Sequence, residues 1–228
     1  MVAAIPKHVG CGGRRPHGSL CANPLGRTVT PNLRNKPMGA EGAFGERLAK
    51  RLRPLLPQKY SIDTKRSLLY AISFDDAGEL QLGQNDDHEP MRGGGTGFEQ
   101  DLLIFERRPG GDTSIIPRVS VELKFGGVST HDSIVYSEKA RRIRAIYPFV
   151  RYGLILGGLD CIPGRTLRLG TEFDFVLAVP ARISTSALGR VANLVRRELR
   201  LSRRLTAILR GRTKVVALHR SLRYARSL

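Results

Sequence analysis

Two short apolar runs near the middle of the chain constrain its fold more than any other feature. They are Leu102 to Phe105 and Val119 to Phe125, both rich in branched or aromatic side chains and bounded by Gly or Pro. Runs of this length and composition predict paired β-strands in a buried sheet. The Gly- and Pro-rich stretch between them, Pro109 to Pro117, is predicted to be a hairpin loop.

Three charged residues interrupt these runs: Asp101, Glu122 and Lys124. A buried charge is costly unless it is paired or bound to a metal. Because strand side chains alternate between faces, Glu122 and Lys124 share one face of their strand. If the two strands are neighbours, we expect two carboxylates and an ammonium group to converge. The alternative is that Glu122 and Lys124 form a solvated pair on an edge strand and Asp101 merely begins a strand.

These residues resemble the motif of the PD-(D/E)XK nuclease superfamily, the fold of many type II restriction endonucleases. The motif has an Asp at the start of a strand, then an acidic residue, any residue and a Lys on the neighbouring strand. Asp101, Glu122, Leu123 and Lys124 fill it, and Gln100 replaces the Pro that often precedes the Asp. The resemblance implies an α/β (α+β) fold, with a restriction-endonuclease-like central mixed β-sheet flanked by helices.

The resemblance also implies a Mg²⁺-dependent DNA endonuclease, for which Mn²⁺ can substitute. Carboxylate oxygens are the ligands that Mg²⁺ prefers, and the ion neutralises developing charge and lowers the pKa of a bound water. In the family, the positions of Asp101, Glu122 and the main-chain carbonyl of Leu123 hold the metal, and that of Lys124 positions the water. The expected products carry a 5′-phosphate and a 3′-hydroxyl.

A helix is predicted from Glu41 to about Arg53, because apolar residues recur there every four positions and Pro residues follow. Many members of the superfamily begin with such a helix, and some contribute a Glu from it to the metal site. Glu46 is the candidate by position, and a helix-surface role is the alternative.

The rest of the chain alternates strands and helices. The strand–helix–strand order after Lys124 predicts a parallel crossover. A polar segment, Gln84 to Gly97, is predicted to be a flexible loop. The remaining elements are a hairpin within Tyr60 to Leu82, helices from His131 to Tyr147 (capped by Thr130) and from Ser184 or Thr185 to about Leu209, and strands Arg151 to Gly157, Phe173 to Val179 and Lys214 to Leu218.

The chain is strongly basic, with 38 Lys and Arg against 20 Asp and Glu among 228 residues, a formal net charge of +18. This balance predicts attraction to polyanions, nucleic acid first and anionic membranes second. Arg141 and Arg142 lie on a helical face that is either solvated or grips phosphates. Residues 1–40 contain no acidic residue and are predicted to be a disordered basic arm, and 41–228 to be a single nuclease domain.

The three cysteines are scattered, which indicates a reducing compartment and no disulfide framework. No apolar run approaches the length of a membrane span. We therefore expect a cytoplasmic protein that does not use a membrane.

The expected function is that of a type II restriction-type enzyme acting on DNA as a homodimer. Two alternatives remain open. One is a junction resolvase, repair nuclease or defence nuclease of the same fold, and the other is a non-catalytic basic protein that binds nucleic acid.

Overall fold

The structure is a computed structural model that describes residues 39–74, 80–81, 95–107, 115–213 and 215–216. It contains a mixed sheet with helices on both faces, which confirms the predicted fold class. The strands are β1 (Tyr60–Phe74), β2 (Leu80–Gln81), β3 (Gly95–Arg107), β4 (Ile115–Phe125), β5 (Arg151–Gly157) and β6 (Phe175–Val179). The helices are α1 (Ala40–Leu52), α2 (Thr130–Ile146), α3 (Gly164–Leu169) and α4 (Thr185–Leu209).

The strands of the sheet follow the order β2-β1-β3-β4-β5-β6. The pairings from β2 through β4 are antiparallel, and β4, β5 and β6 run parallel. The predicted parallel crossover from β4 through α2 to β5 is therefore confirmed. Because β4 lies between β3 and β5, the alternative that Glu122 and Lys124 sit on an edge strand is wrong.

Alternation along β3 and β4 divides the apolar side chains between two cores. On one face, α1 and α4 cover a core that includes Phe44, Leu102, Val121, Leu123 and Val191. On the other face, α2 covers a core that includes Leu103, Phe105, Ala140, Ile143 and Tyr152. The two faces are thus both buried, as expected where a parallel sheet is flanked by crossover helices.

Several predicted boundaries move. β3 begins at Gly95, inside the predicted polar loop, and β4 begins at Ile115, inside the predicted hairpin loop. The N-cap of α2 is Ser129 rather than Thr130, and it forms a capping box with Asp132, which satisfies the amide donors that a helix leaves free at its start. The short helix α3 was not predicted.

Other predictions concern segments that lie partly or wholly outside the described residues. Of the predicted arm, only Gly39 and Ala40 are described, and Ala40 already belongs to α1. The hairpin turn at 75–78 and most of the 84–97 loop lie outside the described residues. Val215 and Val216 are exposed and belong to no strand, so the predicted strand at 214–218 is wrong for these two residues.

Cys161 is disulfide-bonded, so the expectation of unbridged cysteines is wrong for this residue. Within the described parts of the chain, no helix combines the length and apolarity that crossing a membrane requires.

The packing of β5 on β6 predicts a stability effect at Gly153. A Cβ there would lie 2.1 Å from Cε2 of Phe175, so Gly153→Ala is expected to destabilise the fold by about 1–3 kcal/mol through overpacking. Gly189 in α4 has no neighbour within 4 Å of an added Cβ, so Gly189→Ala is expected to stabilise by up to about 1 kcal/mol. Urea unfolding of the two variants checks this, and equal shifts would contradict the described packing.

Candidate functional site

Asp101 is held between two neighbouring strands of the sheet. The pairing of β3 with β4 ends at Leu102, the residue that follows Asp101, and Val121. Its Oδ2 accepts a hydrogen bond of 2.8 Å from the main-chain N–H of Leu123, and its Oδ1 accepts one of 2.6 Å from Nζ of Lys65 in β1. Lys65 has a φ of 56°, in the left-handed region that non-glycine residues rarely adopt. Such strain is typical of functional sites.

Glu122 is buried, with 3 % of its surface exposed. Its Oε1 accepts hydrogen bonds of 2.7 Å from the hydroxyl of Tyr152 in β5 and of 2.6 Å from Nζ of Lys139 in α2. Burial raises the pKa of Glu122 above its ordinary value, Lys139 acts against this rise, and the charge of Asp101 adds to it. The two carboxylates therefore lie close enough to repel one another.

Lys124 contacts a different set of groups. Its Nζ lies 3.5 Å from Oε1 of Glu41, 3.5 Å from Oδ1 of Asp132 and 5.3 Å from the ring centroid of Tyr136. Burial opposes the charged form of Lys124, but the hydrogen bond with Tyr136 and the two carboxylates outweigh it and raise the pKa. Lys124 thus stays protonated beside the site, and its described ion pairs are with neither Asp101 nor Glu122.

A small cavity of about 100 Å³ opens beside Asp101 on the α1 side of the sheet. Glu46 borders it, and its Oε1 accepts a hydrogen bond of 2.7 Å from the hydroxyl of Thr64. Gly45 lets α1 approach closely, since a Cβ there would lie 2.8 Å from Cδ1 of Leu123. Glu46 is therefore both a helix-surface residue and a neighbour of Asp101 across the cavity. The lining residues are Glu41, Gly42, Gly45, Glu46, Thr64, Lys65, Asp101 and Leu123.

The donor set at this place fits a hard divalent cation. Asp101, Glu122 and the main-chain carbonyl of Leu123 offer only oxygen, which is what Mg²⁺ prefers, and the two mutually repelling carboxylates would gain from a shared cation. Among the described residues, no three His, Cys, Asp or Glu side chains group into a metal site. Mg²⁺ tolerates this, because it commonly binds one or two carboxylates and completes its shell with water and substrate phosphates.

A lysine forms an ion pair with each of the two carboxylates. The side chain of Lys65 is 53 % exposed, so it can swing away from Asp101 at little cost, whereas that of Lys139 is 11 % exposed and fixed by packing. Attraction to Asp101 and then to Glu99 outweighs partial burial and raises the pKa of Lys65. Lys139 is thus the permanent counter-charge of Glu122, and Lys65 is the one that a metal would displace.

The sequence did not single out Lys65, Lys139 or Tyr152 as site residues. For Lys139 a signal existed, because it lies three residues after Tyr136 and four before Ile143, on the apolar stripe of α2. Its charge suggested a solvated position, and the buried partner on β4 overrides that suggestion. Tyr152 carried no such signal, since an aromatic residue is ordinary in a buried strand.

The arginine face of α2, for which the sequence left a solvated and a phosphate-gripping role open, forms ion pairs within the helix. Arg141 and Arg142 both bond the carboxylate of Glu138, at 2.7 and 2.8 Å. Their hydrogen bonds lower the pKa of Glu138 to about 2. These two arginines therefore form a local surface cluster with Glu138.

A comparison of the sequence with models of known protein families finds no match, and a comparison with curated proteins finds none either. The assignment of a function therefore depends on the chemistry of this site.

Proposed function

We propose that this protein is a Mg²⁺-dependent DNA endonuclease of the PD-(D/E)XK type. One observation carries the proposal: where the β3–β4 pairing ends, Asp101 accepts a hydrogen bond from the N–H of Leu123, the residue that follows the buried Glu122. A carboxylate kept buried beside another carboxylate opposes folding unless it serves a site.

The residues divide into those that would hold the metal and those that orient them. Asp101, Glu122 and the carbonyl of Leu123 would hold Mg²⁺, which when bound supplies charge neutralisation at the phosphate and an acidified water. The N–H of Leu123 fixes the carboxylate of Asp101, and the hydroxyl of Tyr152 fixes that of Glu122. Burial and the charge of Glu122 raise the pKa of Tyr152, so this hydroxyl stays a donor.

Lys124 and Lys139, both half-buried, take separate roles in this proposal. Lys124 positions the attacking water, which is the role that the resemblance gives it. The contacts of Lys124 with Asp132 and Tyr136 orient its ammonium group. Lys139 favours the ionised form of Glu122 against the effect of burial. Glu46, across the cavity from Asp101, is a further carboxylate that can bind a water near the substrate.

The test of the proposal is incubation of the purified protein with plasmid DNA. Cleavage is expected with Mg²⁺ or Mn²⁺ and none with excess chelator, while Ca²⁺ supports binding with little cutting. Cleavage that persists in chelator would refute metal dependence. A protein that binds DNA but never cuts it would favour the non-catalytic alternative.

The proposal also extends to the kind of nuclease, which we propose to be a type II restriction enzyme. A double-strand cutter with one site per chain works most simply as a symmetric dimer on palindromic DNA, as type II restriction enzymes do. Sequencing the ends of digested genomic DNA should then show one short symmetric sequence. Scattered ends, or ends only at branched substrates, would favour a repair nuclease or resolvase instead.

A substitution at Lys139 tests its positioning role. Lys139 lowers the pKa of Glu122, so Lys139→Met is expected to raise that pKa further and leave the carboxylate protonated at pH values where the parent is ionised. The acid limb of the pH–rate profile should move to higher pH, and the rate near neutral pH should fall about 10- to 100-fold, as for other groups that support metal ligands. Activity should recover as the pH rises.

The matched control is Lys59→Met, at a half-exposed lysine that pairs with Glu106. Its pH–rate profile should match that of the parent. If Lys139→Met lowered the melting temperature but left the pH–rate profile in place, Lys139 would be only a structural anchor of α2.

A further inference from the structure

A second cavity, of about 430 Å³, lies between α1 and the segment that leads into α4. Four of its six lining residues are cationic and none is acidic. We call this surface the cationic groove. Its six lining residues are Arg47, Lys50, Arg51, Ala181, Arg182 and Ile183.

Among the described residues, few carboxylates compensate the charges of the cationic groove. Arg51 donates to the main-chain oxygen of Ile183 and so fastens the two walls together. Arg47, Lys50 and Arg182 are exposed, and none of these three forms an ion pair with a carboxylate in the described part of the chain. Elsewhere on the described surface, arginines such as Arg141 do pair with carboxylates. Three free cations around one concave surface favour an anionic ligand.

The position of the groove relates it to the carboxylate site, because α1 borders both. Glu46 faces the cavity of Asp101, and Lys50 follows it by one helical turn, about 6 Å along the helix axis. Arg47 is the next residue after Glu46. An extended polyanion that leaves the carboxylate site across α1 would therefore meet the cationic groove at once.

We propose that the cationic groove binds successive phosphates of the nucleic-acid strand whose scissile phosphate lies at Asp101 and Glu122. This inference rests on the proposed function and deepens it by assigning the path of the uncut backbone. Arginine suits the task, since its guanidinium fork binds phosphate oxygens in pairs. A concave groove with few apolar side chains suits a strand better than a flat membrane surface does.

The test measures how DNA affinity depends on salt. Binding of a short labelled duplex is followed by fluorescence anisotropy in Ca²⁺ over a KCl series. Each lost phosphate contact reduces the log–log slope by about 0.9, so the triple variant Arg47→Gln, Lys50→Gln, Arg182→Gln is expected to lose about 2 to 3 units. All three positions are exposed, so the variant should fold, which circular dichroism checks.

The matched control is the double variant Arg141→Gln, Arg142→Gln. These arginines are also exposed but already bond Glu138, so the slope should change by less than about half a unit. An unchanged slope in the triple variant, or an equal loss in the control, would overturn the inference. So would a parent protein that binds no DNA, or one that uses these residues to bind only anionic lipid vesicles.

The outcome for the groove is separable from the outcome for the proposed function. The triple variant should still cut DNA in Mg²⁺ at low salt, with a raised KM and a nearly unchanged kcat, because Asp101 and Glu122 are intact. If the triple variant cut DNA and kept the parental salt slope, the inference about the groove would be refuted and the proposed nuclease function would stand. If the triple variant showed a reduced salt slope but the parent protein never cut DNA, the groove would stand as a binding surface and the nuclease function would be refuted.

Discussion

Replacing Asp101 with Asn is expected to lower the rate of DNA cleavage by about 10³-fold in Mg²⁺, because the loss of one metal-binding carboxylate removes several kcal/mol of transition-state stabilisation. The Asn side chain can still accept the hydrogen bond from the N–H of Leu123, so the fold should remain. Single-turnover cleavage measures the effect, and thermal unfolding shows whether the fold is kept.

The control for this change is Asp160→Asn, at an exposed aspartate that lines neither described cavity. It should cut DNA at the parental rate. If Asp101→Asn cut DNA as fast as Asp160→Asn, Asp101 would have no part in the chemistry, and the pairing of carboxylates would be only structural.

Replacing Lys124 with Ala is expected to lower cleavage by about 10²-fold or more, the scale of losing a group that positions the attacking water. DNA binding in Ca²⁺ should change little, because Lys124 is mostly buried and faces Glu41, Asp132 and Tyr136 rather than the open surface. The expected signature is therefore a lower kcat with a nearly constant KM.

Lys59→Ala is the matched control for Lys124→Ala, since it also removes one lysine charge that pairs with a carboxylate. A Lys124→Ala protein that cuts at the parental rate would show that the motif lysine is not the catalytic ammonium. Lys139, which already contacts Glu122, would then be the group to examine.

The sequence predicted most of the sheet, because its strands are apolar runs with clear ends. β5 occupies the predicted residues, and α4 begins and ends where its capping Ser184 and the following Gly211 indicate. The starts of β3 and β4 were harder to predict. β3 begins with glycines and Thr96, and Pro117 and Arg118 interrupt the apolar start of β4, so these stretches become strands only by pairing in the folded sheet. Local pattern carries no information about such tertiary pairing.

The charged residues show a sharper limit of sequence reasoning. Asp101 and Glu122 stood out because they interrupt apolar strands, and in the structure Asp101 accepts a hydrogen bond from the N–H of Leu123, the residue after Glu122. Lys139 did not stand out, because a lysine among charged neighbours on a helix is usually solvated, and only the arrangement of α2 over β4 makes it the partner of Glu122. For Arg141 and Arg142 the sequence left a solvated and a phosphate-gripping role open, and in the structure both bond Glu138, one helical turn before them.

The central claim is that Asp101 and Glu122 together hold a divalent cation. Titration of the metal-stripped protein with Mn²⁺, followed by electron paramagnetic resonance, tests it directly. We predict saturable binding by the parent, much weaker binding by Asp101→Asn and by Glu122→Gln, and parental binding by Asp160→Asn. Equal Mn²⁺ affinity in all four proteins would contradict the claim.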